Sequence, residues 1–537
     1  MVMDANTRIN IAVNLDPEKA AAGTLGGEFV VGGTNVMYSK YTDGRTYAET
    51  RPAIYIASRK PEATADGKGR GLFYWESAGK LITVYDDTLR EGIYGLTIGT
   101  IDAGRDPVYW AEFSSTQLLM TDPENNKVWL ITNTAGALSL TDHSGVVQGD
   151  LINEGIAGGI VVLDNYAFIM SKAGKIYNSE VGDINTDWNA LNFLTTERAV
   201  DPGVFLCKQS EHIVAISSSS LEVFYDAARP VGSPLARRAD ISYLIGANSY
   251  RHCYTNGTKL FFIGATHLGS FSVFKLEGLK ITTVSHQSID GWMNNTMVTY
   301  GGDYMVTCAT LGEHFLVYVT SVFSAENDTI WAPVNTAVFD DSTQLWSRYQ
   351  TYVLEGTEYD NSFPVYAISE RSSDSTLAQS FMLSDGSICY FSVHGLGRDA
   401  EISDPYVTED GTGDGAAEYW DLGYTTIASG DTYWPIDPKI VTEEWDGGIY
   451  TNKFMHRLVV VGRERGREQD DNAVLEMQYS DDVYNSWSNL RTLKAKTHWM
   501  YTRMGKFKRR SIKIQYRGND YVRIEAIEVA VGASQYA

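Results

Sequence analysis

No stretch of this 537-residue chain approaches the ~18 consecutive apolar residues that a membrane helix needs, so no membrane-spanning segment is expected. Long helical periodicity is missing as well, which excludes a helical bundle or a coiled coil. Cysteine is scarce. Cys207, Cys253, Cys308 and Cys389 lie far apart, three of them in strand-like runs, and read as reduced core residues rather than a disulfide framework. The nine histidines form no HxxxH or HxxEH pair, so no metal site is expected. No G-x-S-x-G elbow is present, although a Ser/His/Asp set dispersed in sequence stays open. The opening MVMDANTRIN has no charged-then-apolar pattern, and no secretory leader is expected.

What is abundant points to β-structure. Aromatics make up 12% of the chain, and 49 glycines supply turns. Between residues 70 and 395 one phrase recurs six or seven times: an aromatic and β-branched run, a small-residue turn, then a second apolar run. GLFYWESAGKLITVY (71–85) states it; KVWLITNTAGALSL (127–140), YAFIMSKAGKIYN (166–178), HIVAISSSSLEVFY (212–225), KLFFIGATHLGSFSVF (259–274) and SFMLSDGSICYFSV (380–393) repeat it. HFLVYV (314–319) with TAVFDDSTQLW (336–346) is a looser copy. Starts fall about 40–65 residues apart, the length of a four-stranded propeller blade. A lone hairpin cannot bury its own apolar face, whereas radial stacking builds a core and leaves few open edges. The fold class read here is all-β: a β-propeller of six or seven blades over residues 51–400. An arm, 1–50, precedes it, with a short helix expected where Asp16 would cap Pro17-Glu18-Lys19-Ala20. Residues 401–450 form an acidic insertion carrying Trp420, Trp434 and Trp445, and 451–537 a smaller β module.

Net charge is −23, unevenly placed. Residues 491–523 hold 11 Lys/Arg against the single acid Asp520, leaving −33 on the remainder. An acidic body repels nucleic acid, whereas a basic C-terminal patch suits an acidic partner, a neighbouring copy or phosphate. Arg503, Lys506, Lys508, Arg509, Arg510 and Lys513 are therefore the candidate assembly residues; the alternative is a solvated strand face.

Other motifs carry less. SDDVYNSW (480–487) has the spacing of an Asp-box hairpin, with Tyr484 at the usual glycine position, and supports a turn rather than an activity. EDGTGDGA (409–416) lacks the closing Glu of a calcium loop. GKGRG (67–71) precedes a strand rather than a helix, which weakens a phosphate cradle. Asp340, Asp341, Asp481 and Asp482 sit in turn-like contexts, and a glycosidase pair among them lacks support. Catalytic residues and cofactors are both read as none.

Four segments, in order, resemble a known family, the packaged-DNA stabilisation or tail nozzle proteins of short-tailed double-stranded DNA phages. INIAVNLDPEKA (9–20) resembles its opening P-V-N segment and YAETRPAI (47–54) its entry to the propeller. SSSLEVFYDAA (218–228) with LIGANSYRHCYTNGTKLFFIG (244–264) resembles its central stretch, and TRMGKFKRRSIKIQYR (502–517) its R-x-G-x-x-R-R signature. The acidic insertion and the tail after Val529 depart from the pattern. The resemblance implies a structural virion protein without enzymatic activity. It would form a homo-hexameric ring below the portal and adaptor, with a needle or plug and tailspikes or fibres as further partners, and duplex DNA would pass through without sequence-specific binding. The alternatives are a glycan- or receptor-binding tail component and, further off, a glycan hydrolase.

Overall fold

The computed structural model describes residues 7–17, 29–58, 69–349 (less 93–95, 148, 230, 267–268, 300–301, 312 and 325–330), 365–368, 380–383, 388–392, 436 and 438–533 (less 449–450, 465–472, 495–498 and 518–520). Among them stand seven consecutive antiparallel units, the blades of a β-propeller. Blade one is Gly69–Trp75, Lys80–Tyr85, Thr88–Glu91 and Leu96–Thr100. Blade two runs from Tyr109–Ser114 to Ala137–Asp142, blade three from Val161–Leu163 to Phe193–Thr195, and blade four from Gly203–Gln209 to Leu235–Tyr243. Blade five splits its inner strand into Ile245–Gly246 and Cys253–Thr255, both paired with Lys259–Thr266. Blade six spans Asp303–Leu311 to Leu345–Tyr349. Blade seven takes three strands from 365–392, and its outermost strand is Ala53–Ser58, paired with Ile388–Ser392. The ring is thus closed by a strand from before blade one, and no blade is left as a free end.

Turn chemistry sets the hairpins. Asp164 and Asn165 both hold positive φ (49° and 64°), the geometry of a two-residue turn between Val161–Leu163 and Tyr166–Met170. The runs read as nearly continuous apolar sequence because both faces of a blade are covered. Leu118 and Met120 pack towards blade one with Trp75 and Ile82, while Leu119 and Leu130 pack towards blade three with Ile169 and Trp188. Each such Leu or Ile, withdrawn fully from water, contributes roughly 1.5–3 kcal/mol.

The smaller β module is built from both chain ends. One sheet orders Trp499–Thr502, Lys453–Glu464, Val522–Ala533, Thr46–Thr50 and Val36–Lys40, with Thr7–Ile9 added on Val522–Ala533. The second places Lys439–Val441, Ser511–Arg517, Val474–Ser480 and Arg491–Lys494 side by side. Met455, Leu458, Trp499 and Ile527 from the first meet Leu475, Met477, Ile512 and Tyr516 from the second in one core. Phe29–Thr34 joins this second sheet to blade six, parallel to Leu345–Tyr349 and antiparallel to Lys439–Val441, so one ten-stranded sheet runs from propeller to module.

The arm is therefore woven into the module. The cap expected at Asp16 is replaced by a short strand: Asp16 pairs with Val31 and Pro17 with Phe29. Burial of the adjoining Leu15 against Phe339 and Trp346 outweighs the local capping preference. Glu18, Lys19 and Ala20 lie outside the described residues, as do most of the acidic insertion (Trp420 and Trp434 included) and the loop 409–416. Cys207, Cys253 and Cys308 are buried free thiols.

Candidate functional site

Two places gather functional chemistry: the propeller axis and the basic hairpins of the module. On the axis the inner strands of blades one to six enclose a cavity of about 450 Å3. Its wall is mainly apolar, with Phe73, Tyr109, Trp110 and Phe205 among its aromatic members, and Glu112 is the one carboxylate among the described lining residues. Cys207 and Cys253 line it too; burial pushes the Cys207 thiol up to about 12, so it is protonated and unreactive at neutral pH. Gly159 pinches the wall at φ +83°, where a Cβ would lie 2.0 Å from the Leu206 carbonyl oxygen.

A buried ion network stands beside this cavity. Arg70, fully buried, donates to Asp122 Oδ1 at 2.7 Å and to the carbonyls of Asp86, Asp102 and Asp106. Asp106 in turn accepts from the Tyr250 hydroxyl and pairs with Arg251 at 3.4 Å; Arg251 also reaches Asp303 at 3.2 Å. His252 Nε2 lies 2.5 Å from the other oxygen of Asp303. Burial alone would raise the Asp303 carboxyl, but the His252 hydrogen bond and the Arg251 charge hold it below the ordinary carboxylate range. Every charge here is opposed, so the network ties blades one, two, five and six together.

The six basic candidates divide sharply. Arg510 is 1% exposed. Its Nε and Nη2 donate to the two oxygens of Asp481 at 2.7 Å each, and Nη1 donates to the Met504 carbonyl at 2.7 Å. The guanidinium lies between the Tyr479 and Phe507 rings, 3.9 and 4.4 Å from their centroids. This corrects its placement in an exposed assembly set: two aromatic faces and a bidentate carboxylate pull it inward, and it pins the module. Lys513 is half-buried, its Nζ 4.6 Å from the Trp487 ring centre, and burial lowers its amine below the usual range although Glu476 opposes this. Arg509 is 57% exposed and 3.7 Å from Glu444. Arg503, Lys506 and Lys508 are exposed, and their charged groups have no side-chain partner among the described residues.

The four aspartates also have definite roles. Asp340 and Asp482 accept from the hydroxyls and amides of their own turns. Asp481 holds Arg510, and Asp341 bridges Lys259 and Lys275 at 2.5 and 2.8 Å. Sequence reasoning missed the buried arginines Arg70 and Arg51. The signal for Arg70 was present in GKGRG, where Gly71 allows close approach: a Cβ there would lie 2.6 Å from Val108.

No family model and no curated protein matches the chain. Among solved structures it is similar to the N-terminal domain of Nup159 (9% identity, 66% of this chain and 97% of that one, TM-score 0.34). It is also similar to U3-55K (10% identity, 64% and 98%, TM-score 0.36). A third is a putative 6-phosphogluconolactonase from Bacteroides uniformis (12% identity, 60% and 94%, TM-score 0.29). The propeller assignment rests on the strand pairing itself.

Proposed function

We propose that this protein is a structural subunit of a short-tailed phage tail, forming a six-fold nozzle ring that extends the DNA channel, retains the packaged genome and lets it pass at ejection. The observation that carries the reading is where the family-like segments fall. Ile9 and Ile11 of 9–20 enter the module core, and Asn14 of the same segment accepts from the Trp346 amide of blade six. Arg51 of 47–54 is fully buried, bonds Asn35 at 3.0 Å and precedes the strand that closes the ring. Residues 502–517 contribute the Arg510 pin. The first two resembling stretches thus lie where propeller meets module, the last lies within the module, and the central one, 218–228 with 244–264, lies in blades four and five.

Two features fit the role. The axial cavity is far too small for duplex DNA, whose major groove alone is about 12 Å wide, so a channel has to be formed between copies. Arg503, Lys506 and Lys508, exposed and without a side-chain partner among the described residues, would meet the acidic body of a neighbour or of the adaptor ring. DNA would slide past a wall that leaves phosphates unbound. Retention rather than catalysis accords with the structural duties of Asp340, Asp341, Asp481 and Asp482. The test is negative-stain microscopy of purified protein and of particles. Six-fold rings that dissociate in the triple variant Arg503→Glu, Lys506→Glu, Lys508→Glu support the reading. A monomer under all conditions, together with cleavage of host polysaccharide, overturns it.

A further inference from the structure

On the seam between blade six and the module, three side chains have the connectivity of a hydrolase triad. Ser39 Oγ lies 3.1 Å from His314 Nε2, and His314 Nδ1 lies 2.9 Å from Asp340 Oδ2. Ser39 comes from Val36–Lys40 of the module, His314 from His314–Ser324 and Asp340 from the end of Trp331–Asp340. A fourth group decides what the set can do. Ser39 Oγ donates to Glu49 Oε1 at 2.9 Å, and Glu49 is paired with Arg523 at 3.2 Å. A nucleophilic serine gives its hydrogen to histidine and shows its oxygen to substrate. Ser39 instead gives its hydrogen to Glu49, and it is 5% exposed within a paired strand.

Counting hydrogens then fixes the histidine. An ionised carboxylate only accepts. Glu49 takes the single hydrogen of Ser39, so Ser39 must accept from His314, and Nε2 carries a hydrogen. Asp340 requires a hydrogen on Nδ1 as well. All three bonds are satisfied together only by the imidazolium. A neutral ring protonated at Nδ1 keeps Asp340 but leaves Nε2 and Glu49 competing for one serine hydrogen.

We propose that Ser39, Glu49, His314 and Asp340 form a proton-operated latch between blade six and the C-terminal β module, closed while His314 is charged and loosened when it is neutral. The surroundings agree. On the blade side, His314 faces Asp340, the neighbouring Glu313 and the Ser342 hydroxyl at 3.3 Å. On the module side it faces Ser39 and Glu49, with Arg523 behind Glu49. Asp341 is turned away to its two lysines. Burial opposes the charged ring, but the Asp340 hydrogen bond and the Asp340, Glu49 and Glu313 charges hold His314 above its ordinary value. Burial pushes Asp340 up, yet the bonds from His314 and Ser342 keep it below the carboxylate range. A raised histidine contributes fully below its unfolded value of ~6.5 and loses that contribution as pH rises through the higher folded value. A depressed carboxylate contributes above ~3.9 and is lost as pH falls through its lower folded value. The latch is closed between those limits and opens on the alkaline side.

Hydrogen exchange on the full-length protein tests this, from about pH 5.5 to about pH 9, with rates corrected for intrinsic chemistry. In the wild type, protection of Val36–Lys40 should fall several-fold as pH rises through the histidine transition, while blade two stays constant. Ser39→Ala keeps the His314–Asp340 pair and cuts the link to Glu49; its Val36–Lys40 protection should be lower and flat across the range. His314→Gln should be flat too. No pH step in the wild type, or an unchanged step in Ser39→Ala, overturns the latch. Because Ser39→Ala removes a single hydroxyl, the comparison survives even if His314→Gln fails to fold.

Discussion

Replacing Arg510 should damage the module far more than removing any exposed cation near it. In Arg510→Ala the Met504 carbonyl loses its donor, at about 1–3 kcal/mol if it stays dry. The slot between Tyr479 and Phe507 loses a stacked cation, worth about 0.5–2 kcal/mol. Asp481 is 36% exposed and can rehydrate, so its loss is smaller than that of a sealed ion pair. Together these place the cost at about 3–4 kcal/mol, a sizeable part of the roughly 5–15 kcal/mol that stabilises a domain. Arg510→Lys keeps the charge but loses the fork and the flat stacking surface, and should recover less than half of it. Urea unfolding of the full chain, followed by its intrinsic tryptophan fluorescence, to which Trp445 beside the pin contributes, reads the change. Lys508→Ala serves as the exposed control and should fall within about 0.5 kcal/mol of wild type. If Arg510→Ala and Lys508→Ala unfold at the same midpoint, Arg510 is not a pin and belongs with the surface set after all.

Gly159→Ala forces a methyl group onto the Leu206 carbonyl at positive φ and should cost at least ~2 kcal/mol, seen as a lower urea midpoint; a neutral result would mean that blades three and four separate freely. Arg70→Met strands the fully buried Asp122 and should cost about 3–5 kcal/mol, part of which Asp122→Asn in the same chain restores; absence of that rescue in thermal melts refutes the pairing. Asp341 is held below the carboxylate range: burial pushes it up, but Lys259 and Lys275 bring it down. Its contribution is present above ~3.9 and is lost as pH falls through the lower folded value, so the melting gap between wild type and Asp341→Asn should shrink with acid. A gap that grows in acid would contradict the assignment.

The propeller was legible because its code is local. A blade covered on both faces leaves apolar runs such as Tyr166–Met170, and turn pairs such as Asp164-Asn165 mark the hairpins. The module was legible only in its C-terminal half. Its other half comes from residues 7–50, whose partners lie hundreds of positions away, as in the Arg8–Glu528 ion pair; no window on the sequence reports such a pairing. The candidate site was half legible for a related reason. Clustering of charge identified the 503–513 stretch, but charge alone does not separate Arg510 from Arg509. That depends on Asp481, Tyr479 and Phe507, which converge only once the strands pair. The latch was not legible: Asp340 read only as a turn aspartate, and Ser39, Glu49 and His314 stand at unremarkable positions on three further strands.

Closure of the ring by Ala53–Ser58, and of the module by Thr7–Ile9 on Val522–Ala533, has a consequence for biosynthesis. During translation Thr7–Ile9 and Ala53–Ser58 emerge long before the strands they pair with. The ring can close only after residue 392 has left the ribosome, and the module only after residue 533. Such non-local pairing is slow to find. The nascent chain therefore completes its module last, and a prematurely terminated copy lacks the strand, Val522–Ala533, that joins Thr7–Ile9 to Lys453–Glu464.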